Sequence, residues 1–107
     1  MTQTISERKL QMLPGELEIV CAILRRHVPD RAVWAFGSRV KGTARPCSDL
    51  DLTILGDESL PLSTQAELAE EFAESDLPYK VDIGDWATTS ERFREIIRAA
   101  YIPLPLA

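Results

Sequence analysis

The stretch that decides the fold is Val33 to Leu55, VWAFGSRVKGTARPCSDLDLTIL. Arg31 to Phe36 is rich in β-branched and aromatic residues and reads as a strand running into Gly37, where a tight turn follows. Ser38 opens a short helical turn, and Gly42, Thr43 and Pro46 make the remainder a loop. Asp49 to Leu55 is then a second strand. Successive side chains of a strand point to opposite faces, so Asp49 and Asp51 share one face while Leu50, Leu52 and Ile54 anchor the other in a core.

Working outward, Pro14 suits the first turn of a helix whose apolar positions are Leu13, Leu17, Val20, Cys21, Leu24 and Val28, and Pro29 and Asp30 end it. On the other side, Thr64 and Glu67 have the spacing of a capping box ahead of a helix carrying Leu68, Ala69 and Phe72 and ending near Ser75. Tyr79 to Asp85 is a third strand. Thr88 and Glu91 repeat the capping spacing, and Phe93, Ile96, Ile97, Ala100 and Tyr101 keep a helical period until Pro103. Helices and strands thus alternate as αβ(α)βαβα. This order predicts an α/β or α+β fold, a small mixed β-sheet with helices packed on one face and the other face open for chemistry.

The 107 residues suffice for one domain, 1–107, without a separate substrate domain; residues 1–12 are a polar, flexible lead and 102–107 a tail. Apolar residues make up 45% and charged residues 27%, values of a folding chain. The net charge of −5, with no basic cluster, argues against direct DNA or RNA binding. Cys21 and Cys47 have no metal-ligand spacing, and no stretch has the length of a signal or membrane-spanning segment, so a cytoplasmic protein is expected. The apolar tail Tyr101 to Ala107 either folds back or meets another chain, which leaves a homo-oligomer or a hetero-complex open.

The chemistry rests on a constellation. Gly37 and Ser38 open a helical turn whose unpaired amides suit phosphate oxygens, and Arg39 and Lys41 add cations beside it. Two like charges on one strand face, Asp49 and Asp51, call for a cation between them, and Mg²⁺ takes carboxylates, phosphates and water. Asp82, flanked by Val81 and Ile83, brings a third carboxylate to the same face if its strand lies next to that of Asp49. Such a trio can hold metal on a triphosphate, and Asp82 can accept the proton of an attacking hydroxyl. Asp85 is the alternative acid on the opposite face. A Gly-Ser turn or a D-x-D alone is ordinary, but G-S-x10-D-x-D arises by chance in roughly one chain of this length per thousand.

Gly37-Ser38, the ten-residue spacer, Asp49-Leu50-Asp51 and the later Val81-Asp82-Ile83 resemble the DNA polymerase β-type nucleotidyltransferase superfamily. Gly37 to Gly42, GSRVKG, is similar to its minimal bacterial and archaeal branch in particular. The resemblance implies the nucleotidyltransferase fold, a Gly37-Ser38 turn that holds the triphosphate and metal ligation by Asp49, Asp51 and Asp82. It also implies a partner: members of that branch pair with small helical HEPN proteins as toxin and antitoxin, the nucleotidyltransferase adding AMP from ATP to the partner. Two other readings remain at this level, a binding module that blocks its partner without catalysis and a small-molecule nucleotidyltransferase. His27 is expected at a helix C-terminus, Trp34 and Trp86 in packing, and the acids from Glu67 to Glu74 on a solvated face.

Overall fold

Residues 10–106 are described by a computed structural model, and its first helix, α1 (Pro14–His27), begins where the sequence places it. Pro14 has the fixed φ of a first helical residue, and the Glu16 carboxylate accepts from the Leu13 N–H at 3.1 Å. Arg25, Arg26 and His27 face the negative end of the helix dipole. There follow β1 (Val33–Phe36), a four-residue helix α2 (Ser38–Lys41), β2 (Leu50–Ile54), α3 (Leu62–Ala73), β3 (Val81–Asp85), a 3-10 turn at Trp86–Thr88, α4 (Glu91–Ala99) and β4 (Tyr101–Pro103).

The sheet order is β3-β2-β1-β4. β1 runs antiparallel to both β2 and β4, and β2 runs parallel to β3. Parallel neighbours need a crossover, which α3 supplies. The core lies between one sheet face and the helices α1 and α3: Val33, Ala35, Leu50, Leu52 and Ile54 meet Val20, Leu24, Leu68 and Phe72. On the opposite face, Phe36 is paired with Asp51 and Asp51 with Asp82. The sheet is therefore mixed, with α1 and α3 on one face as the alternation predicts. α4 lies on the other face over β1, with Phe93 edge-on to Phe36 at 5.8 Å and Ile97 buried. The acidic ends of β2 and β3 remain uncovered.

Three local expectations are corrected. Tyr101 does not extend the last helix: Ala100 is extended (φ −159°, ψ 100°), and Tyr101 pairs with Phe36 in β4 while its ring stacks on Trp34 at 3.9 Å. The free edge of β1 and a neighbouring indole outweigh a helical period in an aromatic, β-branched pair. Neither capping box forms. α3 starts at Leu62 after Pro61, which leaves Thr64 inside the helix, and α4 is capped by Ser90, whose hydroxyl accepts from the Phe93 N–H at 3.2 Å. Thr88 belongs instead to the 3-10 turn, its hydroxyl donating to the Asp85 carbonyl.

The tail folds back. Leu104 is buried, its N–H donates to the Val33 carbonyl at 2.9 Å, and Arg25 donates to the carbonyls of Pro105 and Leu106. The lead 1–12 lies outside the described residues up to residue 9, but Gln11 is fixed by its N–H to the Arg39 carbonyl at 2.7 Å. Among the described residues no helix is long and apolar enough to cross a membrane. The capping assignment predicts that Ser90→Ala lowers unfolding free energy in urea by about 1 kcal/mol, with Thr88→Ala costing clearly less; equal losses would return the cap to Thr88.

Candidate active site

The acids reach one face because of the register of β2 and β3. Leu50, Leu52 and Ile54 are fully buried, which fixes the orientation of β2 and turns Asp51 outward. The parallel pairing sets Asp51 beside Asp82, and the Leu50 N–H donates to the Lys80 carbonyl at 2.9 Å, locking the entry to both strands. Asp49 lies one residue before β2 and is exposed, as is Asp82, while Asp51 is half-buried. Burial pushes the Asp51 carboxyl above its usual range, and the charges of Asp82 and then Asp49 push the same way. Among the described residues no three acidic, histidine or cysteine side chains close into a ready-made metal cage. The trio shares a face and an electrostatic field rather than a preformed cage.

Gly37 ends β1 directly against this field. Its backbone (φ 82°, ψ −156°) lies in a region that essentially only glycine occupies. A Cβ there would run into Oδ2 of Asp51 and lie 3.2 Å from its Cγ. Glycine thus opens the space in front of the carboxylate. Its carbonyl accepts from the N–H groups of Val40 and Lys41, both at 3.0 Å, so α2 starts here and the amides of its first residues lack helical partners. Metal-held phosphate fits the place: repelling carboxylates, backbone donors and a gap that a side chain would fill.

The two cations of the turn part company. Lys41 stays exposed and, with Phe36, Gly37, Phe93, Ile96 and Ala100, lines a shallow cleft of about 180 Å³ beside the glycine. Arg39, expected beside the phosphates, is turned the other way and is only 4% exposed. Its guanidinium donates to the carbonyls of Gln11 (2.8 Å), Ser48 (3.0 Å), Pro46 (3.0 Å) and Arg45 (3.4 Å) and lies 3.7 Å from the centre of the Tyr79 ring. A buried guanidinium satisfied by carbonyls has no fork left for a phosphate.

The remaining candidates have structural work. Asp85 accepts from the N–H of Leu60 at 2.8 Å and of Ala87 at 3.2 Å, joining two loops. His27 lies 2.7 Å from Glu71 of α3, and Arg26 pairs with the same carboxylate, so that acid braces two helices instead of only facing solvent. Trp34 and Trp86 pack edge-on at 5.5 Å. Cys21 is buried, which raises its thiol pKa, and Cys47 is exposed. The hold of Arg39 on Gln11 and Tyr79 had no signal in the sequence, because it joins residues far apart in the chain.

Two outcomes are expected. Asp51→Asn raises stability by roughly 0.5 to 1 kcal/mol in metal-free buffer at neutral pH, because it removes a carboxylate that is half-buried and held beside two others. A raised folded pKa means that the penalty on the charged carboxylate, from burial and then repulsion, is full above that pKa and disappears below the ordinary aspartate range, so the advantage must vanish in acid; an advantage that persists there would contradict this origin. Gly37→Ala costs on the order of 1–3 kcal/mol from backbone strain, measured by denaturant unfolding.

Known proteins are similar to this chain in sequence and fold. The family model described as Polymerase beta, Nucleotidyltransferase matches residues 18–102. A relative from Haemophilus influenzae (strain ATCC 51907 / DSM 11121 / KW20 / Rd), called probable protein adenylyltransferase MntA, is 56% identical over 94 residues, 88% of this chain and 82% of that protein. A crystal structure described as the toxin-antitoxin with AMP-PNP superposes with a TM-score of 0.70 at 27% identity, covering 82% of this chain and 71% of that one. A complex of a tri-AMPylated Shewanella oneidensis HEPN toxin with an MNT antitoxin shares the fold, with a TM-score of 0.68 at 24% identity over 87% of this chain and 71% of that one. With the motif on one sheet face and the family model spanning most of the sequence, the chain belongs to the polymerase beta nucleotidyltransferase family.

Proposed function

We propose that this nucleotidyltransferase moves AMP from ATP to a hydroxyl of a HEPN-type partner protein in the cytoplasm and thereby acts as an antitoxin. The observation that carries the reading is the Gly37 backbone set against Asp51, with Asp82 alongside in register. The likeness to a probable protein adenylyltransferase at 56% identity, and to a toxin-antitoxin structure holding AMP-PNP, supports the acceptor class and the nucleotide.

Asp49 and Asp51 would hold Mg²⁺, with Asp82 completing the set; bound there, the ion would neutralise charge on the triphosphate and favour loss of pyrophosphate. Gly37 and Ser38 seat phosphate oxygens on backbone donors, and exposed Lys41 screens them. The acceptor hydroxyl attacks the α-phosphorus, its proton passes to Asp82, and pyrophosphate leaves. Positioning and charge account for the rate, so no covalent enzyme intermediate is needed.

The test incubates the chain with its HEPN-type partner, Mg²⁺ and ATP labelled at the α- or the γ-phosphate. Only the α-label should reach the partner, and Asp49→Asn or Asp51→Asn should lower transfer by roughly 100-fold or more. Full silencing of the partner by both unlabelled variants would instead identify a blocking module. Label retained in both variants would refute the assignment of the acids.

A further inference from the structure

Arg39 is the only side chain of the GSRVKG turn that is both charged and buried, and the phosphate-binding role above does not use it. Its contacts converge on the entrances of both acid-bearing strands. On the β2 side it holds three carbonyls of the preceding loop, those of Arg45, Pro46 and Ser48, the last being the residue before Asp49. On the β3 side it lies on the ring of Tyr79, whose neighbour Lys80 accepts from the Leu50 N–H. The Tyr79 hydroxyl in turn donates to Glu16 of α1 at 3.0 Å.

A further support comes from the N-terminal side. Gln11 accepts from Arg39 Nη1 on its carbonyl, and its side-chain amide clasps Ala44 from both sides, donating to the carbonyl at 3.0 Å and accepting from the N–H at 3.3 Å. Among the described residues no carboxylate forms an ion pair with Arg39. Its charge is met by carbonyl dipoles and a π face, a set that uses the planar fork and that a lysine cannot reproduce.

We propose that Arg39 is a positioning residue: carried by the helix that begins at Gly37, it holds the 45–48 loop against Tyr79 and so sets the place of Asp49 relative to Asp51 and Asp82. This rests on the metal role proposed for those acids. Asp49 is the one member of the trio outside a strand, so its backbone is not fixed by the sheet ladder and depends on the loop before it. Outer supports of metal ligands commonly change metal affinity 10- to 100-fold when removed.

The experiment compares wild type with Arg39→Lys, Arg39→Met and Gln11→Ala, the last a milder, exposed change that keeps the test available should the buried variants not fold. Three readouts are taken: amide hydrogen exchange at Ser48 and Leu50, Mn²⁺ affinity from the resonance signal of the free ion, and ATP affinity in the absence of metal. Both Arg39 variants should exchange faster at Ser48 and Leu50 while α1 and α3 keep their protection. Their Mn²⁺ binding should weaken about 10-fold, with a smaller loss for Gln11→Ala and no change in metal-free ATP affinity.

Rescue separates positioning from charge. If Arg39 acted as a phosphate cation, Arg39→Lys would restore ATP binding lost in Arg39→Met, and that result would overturn the proposal. Unchanged exchange at Ser48 and Leu50 in folded variants would overturn it as well. Absence of Mn²⁺ binding by wild type would count against the metal reading of the acids, while the exchange data would still decide whether Arg39 holds the loop.

Discussion

Asp51 and Asp82 face the same way on adjacent parallel strands, and like charges in that position repel. The fold imposes this arrangement from the opposite face. Leu50, Leu52 and Ile54 are buried against α1 and α3, and a slip of one residue would expose all three while burying the acids. The hydrophobic register therefore half-buries Asp51 and sets it beside another acid, and both effects, burial first, raise its carboxyl pKa. A bound cation would relieve this repulsion, and glycine leaves open space in front of Asp51.

The turn after β1 serves two faces at once. Gly37 and Lys41 address the open side, where the cleft and the acids lie, whereas Arg39 and Val40 are buried. Four residues of helix are enough to divide these roles, because adjacent helical side chains point about a hundred degrees apart. The buried half ties the turn to the loop before β2 by hydrogen bonds and to Tyr79 before β3 by a cation–π contact, so the Gly37 turn and the entries of both acid-bearing strands are held together.

Much of this was legible in the sequence. Alternation oriented Leu50 to Ile54 of β2 correctly, and the pairing of Asp51 with Asp82 followed once β3 was placed beside it, whereas Asp49, expected inside the strand, lies one residue before it. The apolar stripe of α1 and the crossover of α3 followed from periodicity. What escaped reading depends on distant pairing. Tyr101 keeps a helical spacing yet joins β1, since a free strand edge and the Trp34 ring are invisible along the chain. Arg39 follows the Gly37-Ser38 turn, so its charge suggested substrate; only the tertiary positions of Gln11 and Tyr79 show that it is used inward. Ser90 rather than Thr88 caps α4 because Asp85 draws the intervening residues into a 3-10 turn.

The proposed function requires the open face of β2 and β3 to gather metal and triphosphate beside Gly37. The most direct measurement is a crystal structure with Mn²⁺ and AMP-PNP, the metal located by its anomalous scattering. Mn²⁺ is expected on the carboxylates of Asp49 and Asp51, with phosphate oxygens on the backbone of Gly37 and Ser38. Nucleotide bound away from this face, or Mn²⁺ held by other residues with the three acids left free, would contradict it.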